Sequence, residues 1–220
     1  MKKFSTYDLA AIIVWLLPMA YLAFIYQQLP ATVPLHYGIN GHADRYGSKH
    51  EFVGFQALLS GVTVFVYLLL RFLPAIDPKK QVSVGQDTFL KLAVGIVLFL
   101  SGLSAAIIFA TANRSFRIDQ VIFPFIGLFF AFMGNIMYNI KPNYFAGIRT
   151  PWTLEDANNW RATHRLAGKL WFVGGLLIAV VSLMVHGVAG FAFFISAMVV
   201  LTLVPTIYSY IYFRSHRADV

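Results

Sequence analysis

His36, His42, Asp44 and His50 crowd one short stretch of a 220-residue chain. Imidazoles with a carboxylate are a donor set that zinc accepts, and imidazole alone titrates near neutral pH. The spacing fits no known metal motif, so no metal is expected; the four are at most candidate ligands. The stretch reads better as a docking surface for peptide or lipid. A second concentration lies between Asn143 and Arg165, with Arg149, Trp152, Trp160, Arg161 and His164 inside it. Nothing in either stretch assembles a Ser-His-Asp grouping, a paired-carboxylate constellation, a Walker loop or a dinucleotide fingerprint. Ser182 and His186 lie one turn apart, with no carboxylate nearby in sequence, and read as packing residues. Cysteine is absent, which removes thiol nucleophiles, disulfides and thiolate metal sites. The chain is expected not to be an enzyme and to carry no cofactor.

The elements that hold these residues follow from composition. Hydrophobic residues make up 59% of the chain and charged residues 12%, against about 25% charge in ordinary soluble domains. So little charge cannot cover a water-facing surface. Six apolar stretches, at about 9–26, 52–70, 92–111, 121–140, 170–185 and 188–213, approach the ~20 residues a helix needs to cross a bilayer core. Backbone groups in lipid must be satisfied within the segment, and period-2 alternation is missing, so helices are expected rather than a barrel. The first stretch is long for a signal peptide and reads as an uncleaved span. The expected fold is therefore all-α, a polytopic bundle of six transmembrane helices in one membrane domain. Orientation follows from Lys and Arg, which favour the cytoplasmic side. With both termini inside, Lys2, Lys3, Arg71, Lys79, Lys80, Lys91, Lys141, Arg149, Arg161, Arg165, Lys169, Arg214 and Arg217 are cytoplasmic. Arg45, Lys49, Arg114 and Arg117 are then outside, a division of 13 against 4. The net charge of +8 is thus accounted for by inner loops, and direct nucleic-acid contact is not expected.

Two loops exceed a connector's minimum, an outer one over 27–51 and an inner one over 141–169, and such loops commonly carry function. In the outer loop Val33, Leu35, Tyr37 and Ile39 alternate into Asn40-Gly41, a strong hairpin signal; a small extracytoplasmic β-hairpin is expected. In the inner loop Thr153, with Glu155 and Asp156 after it, resembles a helix start. A helix from about Leu154 should run toward the fifth span. On a helical wheel Ala157, Trp160, Thr163, His164 and Ala167 share one side, while Arg161, Arg165 and Lys169 form a cationic stripe on the other. This reads as a cytoplasmic interfacial helix that anchors the bundle or serves as a recognition surface. Asn135 and Asn139, one turn apart, are expected to face the bundle interior. There, with Arg149 as cation, they would form a polar pocket at the cytoplasmic mouth.

The run Gly147-Ile148-Arg149-Thr150-Pro151-Trp152-Thr153-Leu154, followed by Trp160, resembles the signature of the SdpI family of membrane proteins. Leu29-Pro30, Val33-Pro34, Gly41 and Ser48-Lys49 resemble the family's outer-loop block. The resemblance extends over nearly the whole chain. It implies a six-helix protein of the bacterial cytoplasmic membrane that protects its cell from a secreted antimicrobial peptide toxin. It also implies a signalling role, in which a cytoplasmic DNA-binding repressor is recruited to the membrane. The positions that carry over are Asn135, Gly147, Arg149, Thr150, Pro151, Trp152, Thr153, Leu154, Trp160 and Arg165, with Pro34, Gly41 and Lys49 outside. His164 stands where the family's type member has Asn, and His36, His42 and Asp44 depart from its outer loop. The alternative is a small-molecule or lipid transporter using the polar pocket at Asn135, Asn139 and Arg149.

Overall fold

The computed structural model describes residues 4–77, 86–113 and 117–217. Lys2, Lys3, Lys79, Lys80 and Arg114, which enter the charge count, lie outside the described residues. Helix α1 (Thr6–Ile25) ends in a single 3-10 turn, Tyr26–Gln28, and leads into strands β1 (Thr32–Tyr37) and β2 (Ala43–Ser48). Five helices follow: α2 (Lys49–Ile76), α3 (Gln86–Ala112), α4 (Asp119–Met137), the short α5 (Pro151–Glu155) and α6 (Ala157–Val181). The last element is α7 (Gly187–Arg217). Six of these helices are long and apolar enough to span a membrane: Thr6–Gln28, Lys49–Ile76, Asp87–Ala112, Asp119–Met137, Ala157–Val181 and Gly187–His216. Large apolar side chains point outward along them, Phe24, Phe65, Leu128, Leu177 and Ile207 among them. That outward oiliness is what a lipid solvent requires, and the chain is a multi-pass helical membrane protein.

Capping fixes where the first two spans begin. Ser5 and Asp8 form a reciprocal capping box at the start of α1, and Ser48 and Glu51 do the same for α2. Each box satisfies two backbone donors that a helix start leaves orphaned.

The tightest packing joins α4 to α6. A methyl group on Gly134 would lie 2.4 Å from the Phe172 backbone nitrogen, and one on Gly175 would lie 2.4 Å from that of Ala131. Both contacts are shorter than any real side chain permits, so the helices touch backbone to backbone. Gly127 and Gly134 on α4 face Gly175 and Gly168 on α6, in the small-residue mode by which membrane helices associate. Around this seam Phe123 stacks on Phe194 at 4.5 Å, and Trp171 donates its indole N–H to the Leu201 carbonyl at 2.7 Å.

The fifth span differs from the hydropathy reading. Helix α6 starts at Ala157, not near 170, and it is one helix with the stretch expected to lie along the membrane surface. Trp160, Thr163, His164 and Ala167 are all buried, so the separate interfacial helix is corrected to the half of a span farther from the hairpin. Hydropathy missed it because the buried face there is polar and the outward face is cationic. Residues 182–186 make the connection that follows, and Gly187 begins α7.

The hairpin forms as expected, with Thr32 opposite Ser48 and Tyr37 opposite Ala43, and a register irregularity around His36. Its turn is longer than an Asn-Gly dipeptide. The Gly38 amide donates to the His42 carbonyl at 2.8 Å, enclosing Ile39, Asn40 and Gly41. Val33 is the hairpin's anchor, fully buried against Leu22, Ile25, Leu29, Phe52 and Ile108.

Candidate functional site: a clasp at one end and a hairpin at the other

Residues 141–164 wrap the end opposite the hairpin into a clasp. Buried Asn143 organises its first turn: the side-chain carbonyl accepts the Phe145 and Ala146 amides at 2.7 and 2.8 Å. Its amide donates to the Lys141 and Ala146 carbonyls. Gly147 follows at φ +116, and a methyl group there would fall 2.4 Å from His164 Nε2. Only glycine meets both demands. His164 Nε2 accepts the Ile148 amide at 3.1 Å, while Nδ1 faces the Trp160 carbonyl at 2.8 Å. A carbonyl only accepts and an amide only donates, so the ring is neutral with its proton on Nδ1. Trp160 stacks on that ring at 4.0 Å and donates its indole N–H to the Ile140 carbonyl.

The second half of the clasp grips α7. Thr150, not Thr153, caps α5, in a box with the Thr153 hydroxyl, and Asp156 separately caps α6. Thr153 is buried and donates to the Ile148 carbonyl at 2.7 Å. Pro151 occupies the first turn of α5, where its missing N–H costs nothing. Trp152 donates to Ser209 Oγ at 2.6 Å, and Asn159 donates to the Ser209 carbonyl at 2.9 Å. Ser209 on α7 is therefore the anchor of the clasp, and the sequence reading did not single it out.

The polar pocket of Asn135, Asn139 and Arg149 does not form. Asn135 on α4 and Asn139 just past its end are exposed, not turned inward, because the face of α4 packed against α6 is the glycine seam. Arg149 is exposed, and its guanidinium donates to the Tyr144 carbonyl. Arg165 points outward as well, beside Tyr138.

A buried ion pair at the same end also escaped the sequence reading. Arg71 Nε lies 2.7 Å from Asp8 Oδ1, Nη2 lies 3.0 Å from Oδ2, and the Tyr67 hydroxyl donates to the same carboxylate at 2.6 Å. By sequence alone Arg71 is one more cytoplasmic charge. The first two spans are antiparallel, so opposite charges at their matching ends were the available signal. The pair floors a cavity of about 360 Å³ between α1 and α2, otherwise walled largely by apolar side chains such as Ile12, Trp15, Leu68 and Phe72.

At the hairpin end, Asp119 is the hub. It is buried, takes Arg117 Nη2 at 2.9 Å and accepts the Gly187 amide at 2.8 Å. Arg117 also donates to the Asn40 carbonyl at 2.8 Å. Gly41, at φ +77, sits so close that an added methyl would be 2.5 Å from the Asp119 carboxylate. The hairpin turn is thus pinned to the start of α4 and to the α6–α7 connection.

Outside this pin the surface is free. His36 Nδ1 and Asp44 Oδ1 pair at 2.6 Å, with side chains 65% and 52% exposed. His50 instead meets the Tyr26 hydroxyl at 3.2 Å, and Lys49 lies over the Tyr26 ring. His42 is exposed, and Pro34 is half-buried within β1. Among the described residues no group of three or more His, Cys, Asp or Glu is gathered where it could hold a metal ion. Burial pushes the Tyr37 hydroxyl above its ordinary range. Over the turn, His36, Ile39, Asn40, His42, Asp44 and Phe191 line an open groove of about 590 Å³.

Fold and ends together define a helical membrane bundle with a locked clasp at one end and a presented hairpin at the other. Within that class, the resemblance to the SdpI family is borne out. Residues 139–209 match the SdpI/YfhL protein family, and residues 13–59 match a domain of unknown function, DUF1648. The chain is 28% identical over 221 residues to Immunity protein SdpI of Bacillus subtilis (strain 168), covering 97% of each chain. It is 36% identical over 63 residues to an uncharacterized protein of Archaeoglobus fulgidus, spanning 29% of this chain and 32% of that one. No solved structure matches. The two matched segments contain the two ends described above: the first holds the clasp from Asn139 to its anchor Ser209, the second the hairpin.

Proposed function

We propose that this chain is an immunity protein of the bacterial cytoplasmic membrane, protecting its cell from a secreted antimicrobial peptide without covalent chemistry. The observation that carries this reading is likeness along 97% of both chains to a protein named as an immunity protein. The Lys and Arg distribution supports an orientation with both termini and the clasp in the cytoplasm and the hairpin outside. The groove over the hairpin turn then faces the incoming peptide, with His36, His42 and Asp44 as adaptable polar contacts and Ile39 and Phe191 as apolar ones. On the cytoplasmic side, recruitment of a repressor would use the exposed rim of the clasp, Arg149 foremost. Most other signature residues there are committed internally.

Expression in a peptide-sensitive bacterium tests the central reading. Survival against at least one member of a panel of secreted peptides is expected, and unchanged killing across the panel removes it. Co-fractionation of a neighbouring repressor with membranes, abolished by Arg149→Ala, tests the signalling step separately. The second reading, transport of a small molecule or lipid, is favoured by the cavity floored by Asp8 and Arg71. Uptake or efflux in proteoliposomes, lost in Arg71→Gln, distinguishes it from immunity.

A further inference from the structure

At the clasp end, Arg161, Arg165 and Lys169 follow one another at every fourth position of α6 and all are exposed. Among the described residues, no carboxylate lies within ion-pair distance of any of the three. Arg161 donates to the Asn158 side-chain oxygen Oδ1, and Arg165 lies over the Tyr138 ring, 5.6 Å from its centre. Facing them from α7 are Tyr208 and Tyr212, and the space between the two helices is a groove of about 560 Å³. Three uncompensated cations in a groove rimmed by phenols create a strong demand for an anion.

What lies next along the same stripe decides which anion. Continuing by fours from Lys169, α6 presents Val173 and Leu177, each 56% exposed. On α7 the neighbouring surface carries Val204, Ile207 and Ile211, all exposed. The cationic groove therefore sits directly on an oily wall that runs toward the opposite end of the bundle. A headgroup phosphate over cations, with acyl chains along such a wall, is the shape of a phospholipid. Basic pockets between spans on the cytoplasmic side suit acidic headgroups, and tyrosine suits that depth. A soluble phosphate would use the cations and leave the wall unexplained; an acidic protein surface would do the same.

We propose that the α6–α7 groove is a binding site for an anionic phospholipid, its phosphate held by Arg161, Arg165 and Lys169 between Tyr208 and Tyr212. This does not rest on the immunity reading.

The test uses the whole chain purified in detergent, with retained lipid counted by native mass spectrometry during titration with phosphatidylglycerol or phosphatidylcholine. Selective retention of phosphatidylglycerol is expected, weakened about fivefold for each charge removed in Arg161→Gln, Arg165→Gln and Lys169→Gln. The double variant Arg161→Lys with Arg165→Lys should keep most of the selectivity. The single variants keep the test open should the triple variant fail to fold. Equal retention of both lipids by the native chain, or unchanged retention in every glutamine variant, overturns the proposal. Displacement of phosphatidylglycerol by equimolar inorganic phosphate would assign the groove to a free anion instead. Wild-type lipid retention in the triple variant, with loss only of polyglutamate binding, would assign it to an acidic polypeptide.

Discussion

At the clasp end, Asn143, Thr153, Trp160 and His164 direct their hydrogen bonds into the chain's own backbone, whereas at the hairpin end His36, His42 and Asp44 face outward. Both ends match recurrent protein families, so a motif by itself does not say which residues meet a partner. The clasp motif describes how a loop folds onto α6 and α7. The hairpin's glycines and prolines likewise describe its shape, and its outward His36, His42 and Asp44 lie outside that pattern. Recognition is therefore expected at residues outside the motif, or at its exposed exceptions such as Arg149.

The contrast breaks most visibly at Gly147. Replacing it with alanine forces a disfavoured backbone and drives a methyl group into His164, a combined cost of about 3–5 kcal/mol. The expected outcome is loss of folded protein from the membrane, read by fluorescence size-exclusion chromatography; normal yield would show that the clasp is not locked. Asp119→Ala leaves the Gly187 amide without its acceptor and Arg117 with only the Asn40 carbonyl, the lost amide bond costing about 1–2 kcal/mol. Its effect should concentrate at the hairpin end, as faster hydrogen exchange over 36–46 with little change at the clasp. Trp152→Phe removes one hydrogen bond to Ser209, about 1 kcal/mol, and should lower the thermal midpoint without changing protection from peptide.

At the small end lies the exposed His36–Asp44 pair. Substituting both with asparagine should cost under about 1 kcal/mol while altering which peptides are resisted, measured as survival across the panel. Equal survival would move recognition off the hairpin. Tyr37 gives a pH readout. Its hydroxyl pKa is raised by burial, so its contribution is complete below the ordinary tyrosine range and is lost as pH rises through the elevated value. The protection of β1 amides, relative to their intrinsic exchange rate at each pH, should therefore fall only in strong alkali.

Much of this architecture was legible because lipid imposes a simple rule, long apolar segments with charge at their ends. Six spans and a hairpin follow from that rule and from the alternation into Asn40-Gly41. What stayed hidden depends on helices meeting in space. The seam of Gly127 and Gly134 against Gly175 and Gly168 is a matter of which faces touch, and that choice sends Asn135 and Asn139 outward. The polar half of α6 has low hydropathy because its apolar neighbours are supplied by other helices. Asp8, Arg71 and Ser209 are each ordinary alone, and they become informative only when an antiparallel neighbour brings their partners within 3 Å.

The chain has no cysteine, so single cysteines report sidedness without background. His42→Cys at the hairpin tip and Arg161→Cys at the clasp end can each be exposed to a membrane-impermeant maleimide on intact cells. The account predicts labelling of the first in intact cells, and of the second only after the membrane is opened. Labelling of Arg161→Cys from outside, with His42→Cys protected, would contradict it.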